Sequence, residues 1–180
     1  MNPSAKLPLT LPASKNDIDF NQRMWPGIFP HNDSQRVAFY DERLLVGYRW
    51  YDAKSVAPAF PFGYGLSFTT FTLSKLTASA NAISVTVTNT GRVAGRAVPQ
   101  LYLGFPPQAG EPPQQLRGFH KTAVLYPGEM ETCTFELVPR DRSIWDVEKH
   151  EWAEVKGVYH VIVGFSSRCP QALKAIFSLE

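Results

Sequence analysis

Apolar and polar residues alternate along several short stretches of the chain after residue 71. In one stretch Ile83, Val85 and Val87 are separated by serine and threonine, and an Asn-Thr-Gly turn sequence follows at 89–91. A period of two is typical of a strand that packs one face against a core. The pattern recurs at residues 73–78, 98–105, 116–124, 131–137, 159–165 and 173–179. The chain is therefore predicted to form about seven short strands separated by turns.

Long helical periodicity is absent from this region, so the strands favour an all-β, immunoglobulin-like β-sandwich. Tyr159 follows Gly157 at the start of the penultimate strand, where it suits a tyrosine corner whose hydroxyl binds nearby backbone. The alternative is a core aromatic residue whose hydroxyl lies at the edge of the core. Neither role is catalytic.

The first 71 residues have a different character. Residues 1–36 are polar and interrupted by five prolines, which prevents a continuous helix and predicts a strap or tail. Residues 37–71 interleave aromatic residues with glycine without a regular period, which predicts a packed, irregular connector. So much apolar surface must be covered by another part of the protein or by a partner. The predicted domains are 1–71, without a core of its own, and 72–180, the sandwich.

The charge balance excludes several classes of partner. The chain has 180 residues, with 18 Lys and Arg against 16 Asp and Glu and no clustering of basic residues, so nucleic acid is not expected as a partner. No apolar stretch approaches the roughly 20 residues needed to cross a membrane. The first residues lack an apolar segment, so no signal peptide is predicted in this chain.

Metal, cofactor and covalent sites have little support in the sequence. Cys133 and Cys169 either form one disulfide or remain two mostly buried thiols, and the second reading is favoured. The chain has four histidines, His31, His120, His150 and His160. They show no short ligand spacing, so no metal site is predicted. No phosphate-binding or cofactor motif is present either. Asn32 begins an Asn-Asp-Ser glycosylation sequon.

A predicted hairpin carries the remaining candidates. Asp146 and Glu148 would share a face of an extended strand, but a solvated edge is favoured over a catalytic carboxylate pair. Trp145 and Trp152 lie on opposite arms, where they either form a sugar-stacking platform or cap the sandwich core. Capping of the core is favoured. No catalytic residue is assigned.

The order of motifs along the whole chain resembles a known family. The sequence NPSAKLPLTLP at 2–12 is followed by YDE at 40–42, VGYRWYD at 46–52 and PFGYGLS at 61–67, and then by PQLY at 99–102, LRGF at 116–119, PRD at 139–141 and WD at 145–146. This order resembles the C-terminal part of family 3 glycoside hydrolases of the β-glucosidase type. The resemblance covers the end of the α/β sandwich domain, the connector, and the fibronectin type III-like domain.

The resemblance implies a role without chemistry of its own. In that family the nucleophilic Asp lies in the first domain and the acid/base Glu lies earlier in the second, and neither motif matches a position in this chain. The chain alone is expected to be an inactive accessory domain that packs against and stabilises catalytic domains, and to be secreted with the complete enzyme. Its expected partners are those catalytic domains, or a second copy through residues 37–71. The alternatives are a free-standing carbohydrate-binding or adhesion module, and a subunit that docks onto separate catalytic domains.

Overall fold

Two antiparallel sheets face each other in the computed structural model, which describes residues 2–17, 23–25 and 37–180. The first sheet has the order β1-β2-β5 and the second β4-β3-β8-β9. The strands are β1 (Phe71–Ala78), β2 (Ala82–Asn89), β3 (Gln100–Gly104), β4 (Gln115–Phe119), β5 (Met130–Glu136), β8 (Gly157–Gly164) and β9 (Leu173–Leu179). Two further strands, β6 (Ser143–Asp146) and β7 (Glu151–Glu154), form a separate hairpin. The predicted all-β sandwich is confirmed.

The core lies between the two sheets and follows the alternation in the sequence. Ile83, Val85 and Val87 on β2 are fully buried, as are Leu101 on β3 and Val161 on β8. These side chains point to one face because successive residues of a strand face opposite ways. Full burial of each is worth roughly 1.5–3 kcal/mol relative to exposure. The period of two therefore identified the strands and also the faces that form the core.

Strand β3 is buried on both faces, which the sequence pattern did not indicate. Leu101 and Leu103 face the core, whereas Gln100 and Tyr102 face the opposite side of the sheet and are also almost inaccessible. The Gln100 side-chain amide donates to the Gly63 carbonyl at 3.1 Å, and its carbonyl accepts from the Tyr102 hydroxyl at 2.6 Å. The connector thus covers the outer face of the four-stranded sheet.

One short helix, α1 (Tyr48–Lys54), lies within the connector. Seven residues are too few to form a stable helix alone, so its contacts with the sandwich must hold it. The Leu116 amide donates to the Tyr48 hydroxyl oxygen at 2.8 Å, and the Tyr48 ring stacks on Phe62. One turn later, Asp52 accepts hydrogen bonds from Gln114 and Arg168, both at 2.8 Å. The connector, predicted to be irregular, therefore contains one short helix that tertiary contacts hold in place.

The N-terminal residues run antiparallel to the connector as a strap. The Leu7 amide donates to the Tyr64 carbonyl at 2.8 Å, and the Leu11 amide donates to the Phe60 carbonyl at 2.9 Å. The Asn2 side chain accepts from the Phe68 amide at 2.7 Å. These bonds join the described part of the strap to the connector, which itself lies on the sandwich. The division at residue 71 stays a prediction.

Tyr159 forms a tyrosine corner. Its hydroxyl lies 2.8 Å from the Arg142 carbonyl and 2.6 Å from the Val155 carbonyl, four residues upstream. The side chain is fully buried, and its ring stacks on Phe177 with centroids 4.9 Å apart. Burial raises the pKa of Tyr159 to about 12. Of the two readings of Tyr159, the structure agrees with the tyrosine corner, and its hydrogen bonds tie the base of the β6–β7 hairpin to the sandwich.

Candidate functional site

The β6–β7 hairpin presents its two tryptophans to solvent. In the antiparallel register Trp145 lies opposite Trp152, and Ile144 lies opposite Ala153. Ile144 packs against the core cluster, so its neighbour Trp145 must point away from the core. The two indole side chains are 45% and 47% exposed. The expectation that they cap the sandwich core is therefore wrong.

The two indole rings form one apolar surface. Their centroids are 5.2 Å apart and the rings meet edge to face at 60°. The Arg140 guanidinium lies over the Trp152 ring. At the base of the hairpin, the buried Arg142 pairs with Glu154 at 2.7 Å and donates to the Ala80 carbonyl. The rings are therefore held on a hairpin that is fixed to the sandwich at one end.

The carboxylates beside the tryptophans have structural roles. One Asp146 carboxylate oxygen accepts the Glu148 amide at 3.0 Å and the Lys149 amide at 3.1 Å, which closes the hairpin turn. The Lys149 amide is the main cause that lowers the pKa of Asp146. Glu148 is exposed in the turn and shares no strand face with Asp146. The structure supports the solvated-edge interpretation of this pair.

A second candidate surface lies on the connector, on the side of α1 away from the sandwich. It contains a surface cavity of about 660 Å³. Apolar side chains form much of its wall, including Met24, Phe39, Tyr40, Leu45, Val46 and Trp50. Tyr40 is 89% exposed. We call the cavity wall formed by these residues the connector surface; within the connector it consists of Ala38, Phe39, Tyr40, Glu42, Arg43, Leu45, Val46, Gly47, Trp50 and Tyr51.

Two polar groups at the connector surface lack partners within the described residues. The Tyr51 side chain is only 4% exposed, and neither its hydroxyl nor the Thr10 hydroxyl has a hydrogen-bond partner there. Burial, followed by the charge of Asp17, raises the pKa of Tyr51. A buried hydroxyl without a partner costs about 1–3 kcal/mol. The connector surface therefore has both apolar walls and unused hydrogen-bonding groups.

The cysteines are unpaired. Cys133 is buried on β5, and Cys169 is partly exposed in the turn between β8 and β9. The disulfide between them is absent, and the expectation of two free thiols agrees with the structure. Burial, followed by the charge of Glu131, raises the pKa of Cys133 to about 11. Asn32, the predicted glycosylation residue, lies outside the described residues.

One cluster of potential metal ligands was missed in the sequence. His120 follows β4, and Glu131 and Cys133 lie two residues apart on β5. Their ligand atoms all lie within 4.8 Å of one another, and His120 Nε2 is 2.8 Å from a Glu131 carboxylate oxygen. The sequence could not reveal this cluster because β4 and β5 belong to different sheets. Histidine spacing alone reports nothing about such contacts.

No helix among the described residues is long and apolar enough to cross a membrane. This finding concerns helices only.

Comparison with known proteins gives one family and many relatives. Residues 97–167 match the model of the fibronectin type III-like domain. The chain is 41% identical, over 93% of its length, to a probable β-glucosidase G of Aspergillus flavus. It is 43% identical, over 92% of its length, to a probable β-glucosidase L of Aspergillus fumigatus. The chain spans 24% of the length of each of these relatives.

Solved structures give the same result. A β-glucosidase from Streptomyces venezuelae in complex with D-glucose superposes with a TM-score of 0.88 at 33% identity, over 99% of this chain and 23% of that one. A GH3 β-glucosidase from Bifidobacterium adolescentis gives 0.85 at 34% identity, over 99% of this chain and 26% of that one. The similarity extends through the strap and connector as well as the sandwich.

Proposed function

Because this chain corresponds to the C-terminal part of family 3 glycoside hydrolases of the β-glucosidase type, we propose that it is a non-catalytic accessory domain that packs against the catalytic domains of such an enzyme and stabilises them. In the complete enzyme those domains would hydrolyse terminal β-linked glucose. Neither carboxylate of the usual glycosidase pair has a counterpart in this chain's motifs. The chemistry would belong to the partner domains.

The connector surface is the observation that carries this proposal. Its apolar walls, and the hydroxyls of Tyr51 and Thr10 that have no partner among the described residues, are the features expected of a surface that a neighbouring domain covers. Each 100 Å² of apolar surface that becomes covered would contribute about 2.5 kcal/mol. A donor or acceptor from the partner would also satisfy Tyr51. Self-association through residues 37–71 is the competing use of the same surface.

The test is a fusion experiment. A family 3 β-glucosidase is truncated before the region that this chain matches, and is then produced alone, fused to this chain, or mixed with this chain. We expect the fusion to be soluble, to hydrolyse an aryl β-glucoside and to unfold at a higher temperature than the truncated enzyme. If mixing with the separate chain restores the solubility, activity and stability of the truncated enzyme, the docking-subunit alternative is supported.

Point variants of the fusion locate the contact. Replacing Tyr40 and Val46 by alanine should lower the unfolding temperature of the fused enzyme, because both residues lie on the connector surface. The matched control is Ile176→Ala, which removes an exposed apolar side chain from β9. Equal stability of truncated and fused enzymes, or glucoside hydrolysis by the purified chain alone, would contradict the proposal.

Carbohydrate binding is a second candidate function, because Trp145 and Trp152 are half exposed as a pair. Stacking on an aromatic ring is worth about 1–3 kcal/mol per ring, so two rings give about 2–6 kcal/mol, which corresponds to a Kd between tens of millimolar and tens of micromolar. Titration with glucan oligosaccharides should then change the tryptophan fluorescence, and Trp145→Ala should abolish that change. An unchanged spectrum at millimolar oligosaccharide would exclude this function.

Secretion would accompany this role, since the complete enzyme would carry the chain to its destination. The test compares culture medium with cell extract: β-glucosidase activity reports the complete enzyme, and immunodetection reports this chain.

A further inference from the structure

The rim of the sandwich brings three different kinds of metal ligand together. His120 supplies an imidazole nitrogen, Glu131 a carboxylate and Cys133 a thiol, and their ligand atoms lie within 4.8 Å of one another. Imidazole, carboxylate and thiolate are the three groups that bind Zn²⁺ in proteins, with bonds of about 2.0–2.3 Å. Such bonds place neighbouring ligands about 3.5 Å apart, so a shift of roughly 1 Å would bring all three into contact with one ion.

The side chains that would have to move are those with freedom to do so. The side chains of His120 and Glu131 are 43% and 26% exposed, whereas Cys133 is buried on its strand. The other Glu131 oxygen accepts the Ala123 amide at 2.8 Å, which keeps the carboxylate beside the histidine. The buried thiol therefore has a fixed position, and the two partly exposed side chains can move toward an ion bound to it.

We propose that His120, Glu131 and Cys133 form a binding site for a thiophilic divalent transition-metal ion such as Zn²⁺. The thiolate disfavours Mg²⁺ and Ca²⁺, which take oxygen ligands. Three protein ligands leave a fourth position for water on the exposed side of His120. On binding, the Cys133 thiol releases its proton to solvent and its sulfur forms the bond to the metal. The hydrogen bond between His120 Nε2 and Glu131 breaks, and the neutral imidazole binds the metal through its unprotonated nitrogen.

The site would join parts of the chain that belong to different sheets. His120 extends β4 of the four-stranded sheet, because its amide donates to the Pro99 carbonyl at 3.1 Å. Glu131 and Cys133 belong to β5 of the three-stranded sheet. An ion that binds the folded chain and not the unfolded chain raises the unfolding temperature. Metal binding would therefore link the two layers of the sandwich at this rim.

The test uses the full chain without a polyhistidine tag and with its thiols reduced. Titration with Co²⁺ should give one equivalent of binding and a near-ultraviolet absorption band from thiolate coordination. Zn²⁺ should then displace the Co²⁺ and raise the unfolding temperature. A chain that shows no thiolate band with Co²⁺ and no thermal shift with Zn²⁺ would overturn the proposal.

Variants separate the site from adventitious binding. The thiolate band should be lost in Cys133→Ser and retained in Cys169→Ser, which removes the other free thiol of the chain. His120→Gln, a change at a half-exposed position, should weaken Zn²⁺ binding by about tenfold or more. If Cys133→Ser does not fold, His120→Gln alone decides, and an unchanged affinity in that variant would reject the site.

Discussion

The Tyr159 hydroxyl is one of the groups that link the candidate sugar-binding hairpin to the sandwich. The Tyr159 hydroxyl lies close to two carbonyls, those of Arg142 before β6 and Val155 after β7. Both ends of the hairpin therefore meet at one buried residue. Loss of the Tyr159 hydrogen bonds should therefore increase the mobility of the exposed tryptophans before it affects the core.

Replacing Tyr159 by phenylalanine should lower the free energy of unfolding by about 1–3 kcal/mol, because the hydroxyl that donates to the Arg142 and Val155 carbonyls is lost. Urea unfolding followed by circular dichroism measures this. Tyr126→Phe is the control, since Tyr126 is exposed and its change should cost less than about 0.5 kcal/mol. Equal effects of the two changes would contradict the role assigned to the corner.

The same hydroxyl predicts how stability depends on pH. The pKa of Tyr159 is raised from 10.0 to about 12 in the folded chain, so folding favours the protonated phenol. This contribution is complete below the unfolded value of 10.0 and is lost as the pH rises toward about 12. The unfolding temperature should fall in this window, and it should fall less steeply in Tyr159→Phe. A common slope for both proteins would show that other groups control alkaline unfolding.

The two thiols should react at different rates in the metal-free chain. Cys133 is buried and its pKa is raised to about 11, so little thiolate exists at neutral pH. Cys169 is partly exposed. Alkylation at pH 7.5 followed by peptide mass spectrometry should therefore label Cys169 first, and Cys133 only when the chain is unfolded. Faster labelling of Cys133 would mean that β5 opens locally.

At the scale of elements, the contact between the connector and β3 depends on one glycine. Gly63 has a φ of +79°, a conformation that other residues rarely adopt, and a Cβ atom there would collide with the Gln100 side-chain amide. That amide also donates to the Gly63 carbonyl. The close approach of the Gln100 side chain to the Gly63 backbone therefore requires the absence of a side chain at residue 63.

Gly63→Ala should lower the free energy of unfolding by about 2–4 kcal/mol, from backbone strain and the displaced Gln100 amide. Gly110→Ala is a matched control, because Gly110 also has a positive φ of +64° but open space around its Cβ position. The control should cost only the strain, about 1–2 kcal/mol. Chemical denaturation measures both variants. If the two changes cost the same, then the Gln100 contact contributes nothing.

The strands could be predicted from the sequence, but the faces of the hairpin could not. The alternation of Ile83, Val85 and Val87 identified both β2 and its core face. When several apolar residues alternate in this way, only one pairing register buries all of them. The four-residue strands β6 and β7 have apolar residues on both faces, so Ile144 and Trp145 compete for the core. A shift of one residue exchanges the two faces, and only the packed structure decides between them.

The connector illustrates a different limit. Tyr48 and Asp52 both contact the sandwich from one side of α1. A helix of seven residues is nevertheless too short for a helical period to be recognised in the sequence. Gln100 and Tyr102 resemble the solvated face of an ordinary antiparallel strand. Their burial depends on residues far away in the chain, such as Gly63, which lies 37 positions before Gln100, and local patterns do not report such contacts.

At the scale of the whole molecule, the connector has two unlike sides. Residues around Tyr48 and Gly63 face the sandwich, whereas Tyr40 and Val46 face solvent. We expect the isolated chain to bind a hydrophobic dye or to self-associate through the solvent-facing side only. The whole aromatic segment need not be exposed for this to occur.

Point changes test this expectation better than deletion does. Removal of residues 1–70 would delete the connector surface but would also expose Gln100 and Tyr102 on β3. Dye bound to this newly exposed face would then hide the loss of dye binding at the connector. Replacing Tyr40 and Val46 by serine should instead reduce dye fluorescence and shift sedimentation toward the monomer. Replacing Val147 and Ile176 by serine is the control, because both are exposed elsewhere. A wild-type chain that is monomeric and binds no dye would contradict the expectation.

The double burial of β3 has a practical consequence for enzyme chimaeras. A crossover point placed at the first strand of the sandwich would pair one parent's Gln100 with another parent's Gly63. Any mismatch there would deprive the buried Gln100 amide of one of its two carbonyl partners. Crossovers placed before residue 48 would keep α1, Gly63 and β3 from a single parent. The natural unit of exchange in this region therefore includes the segment from α1 onward together with the sandwich, and libraries cut at the sequence-defined boundary should yield fewer folded hybrids.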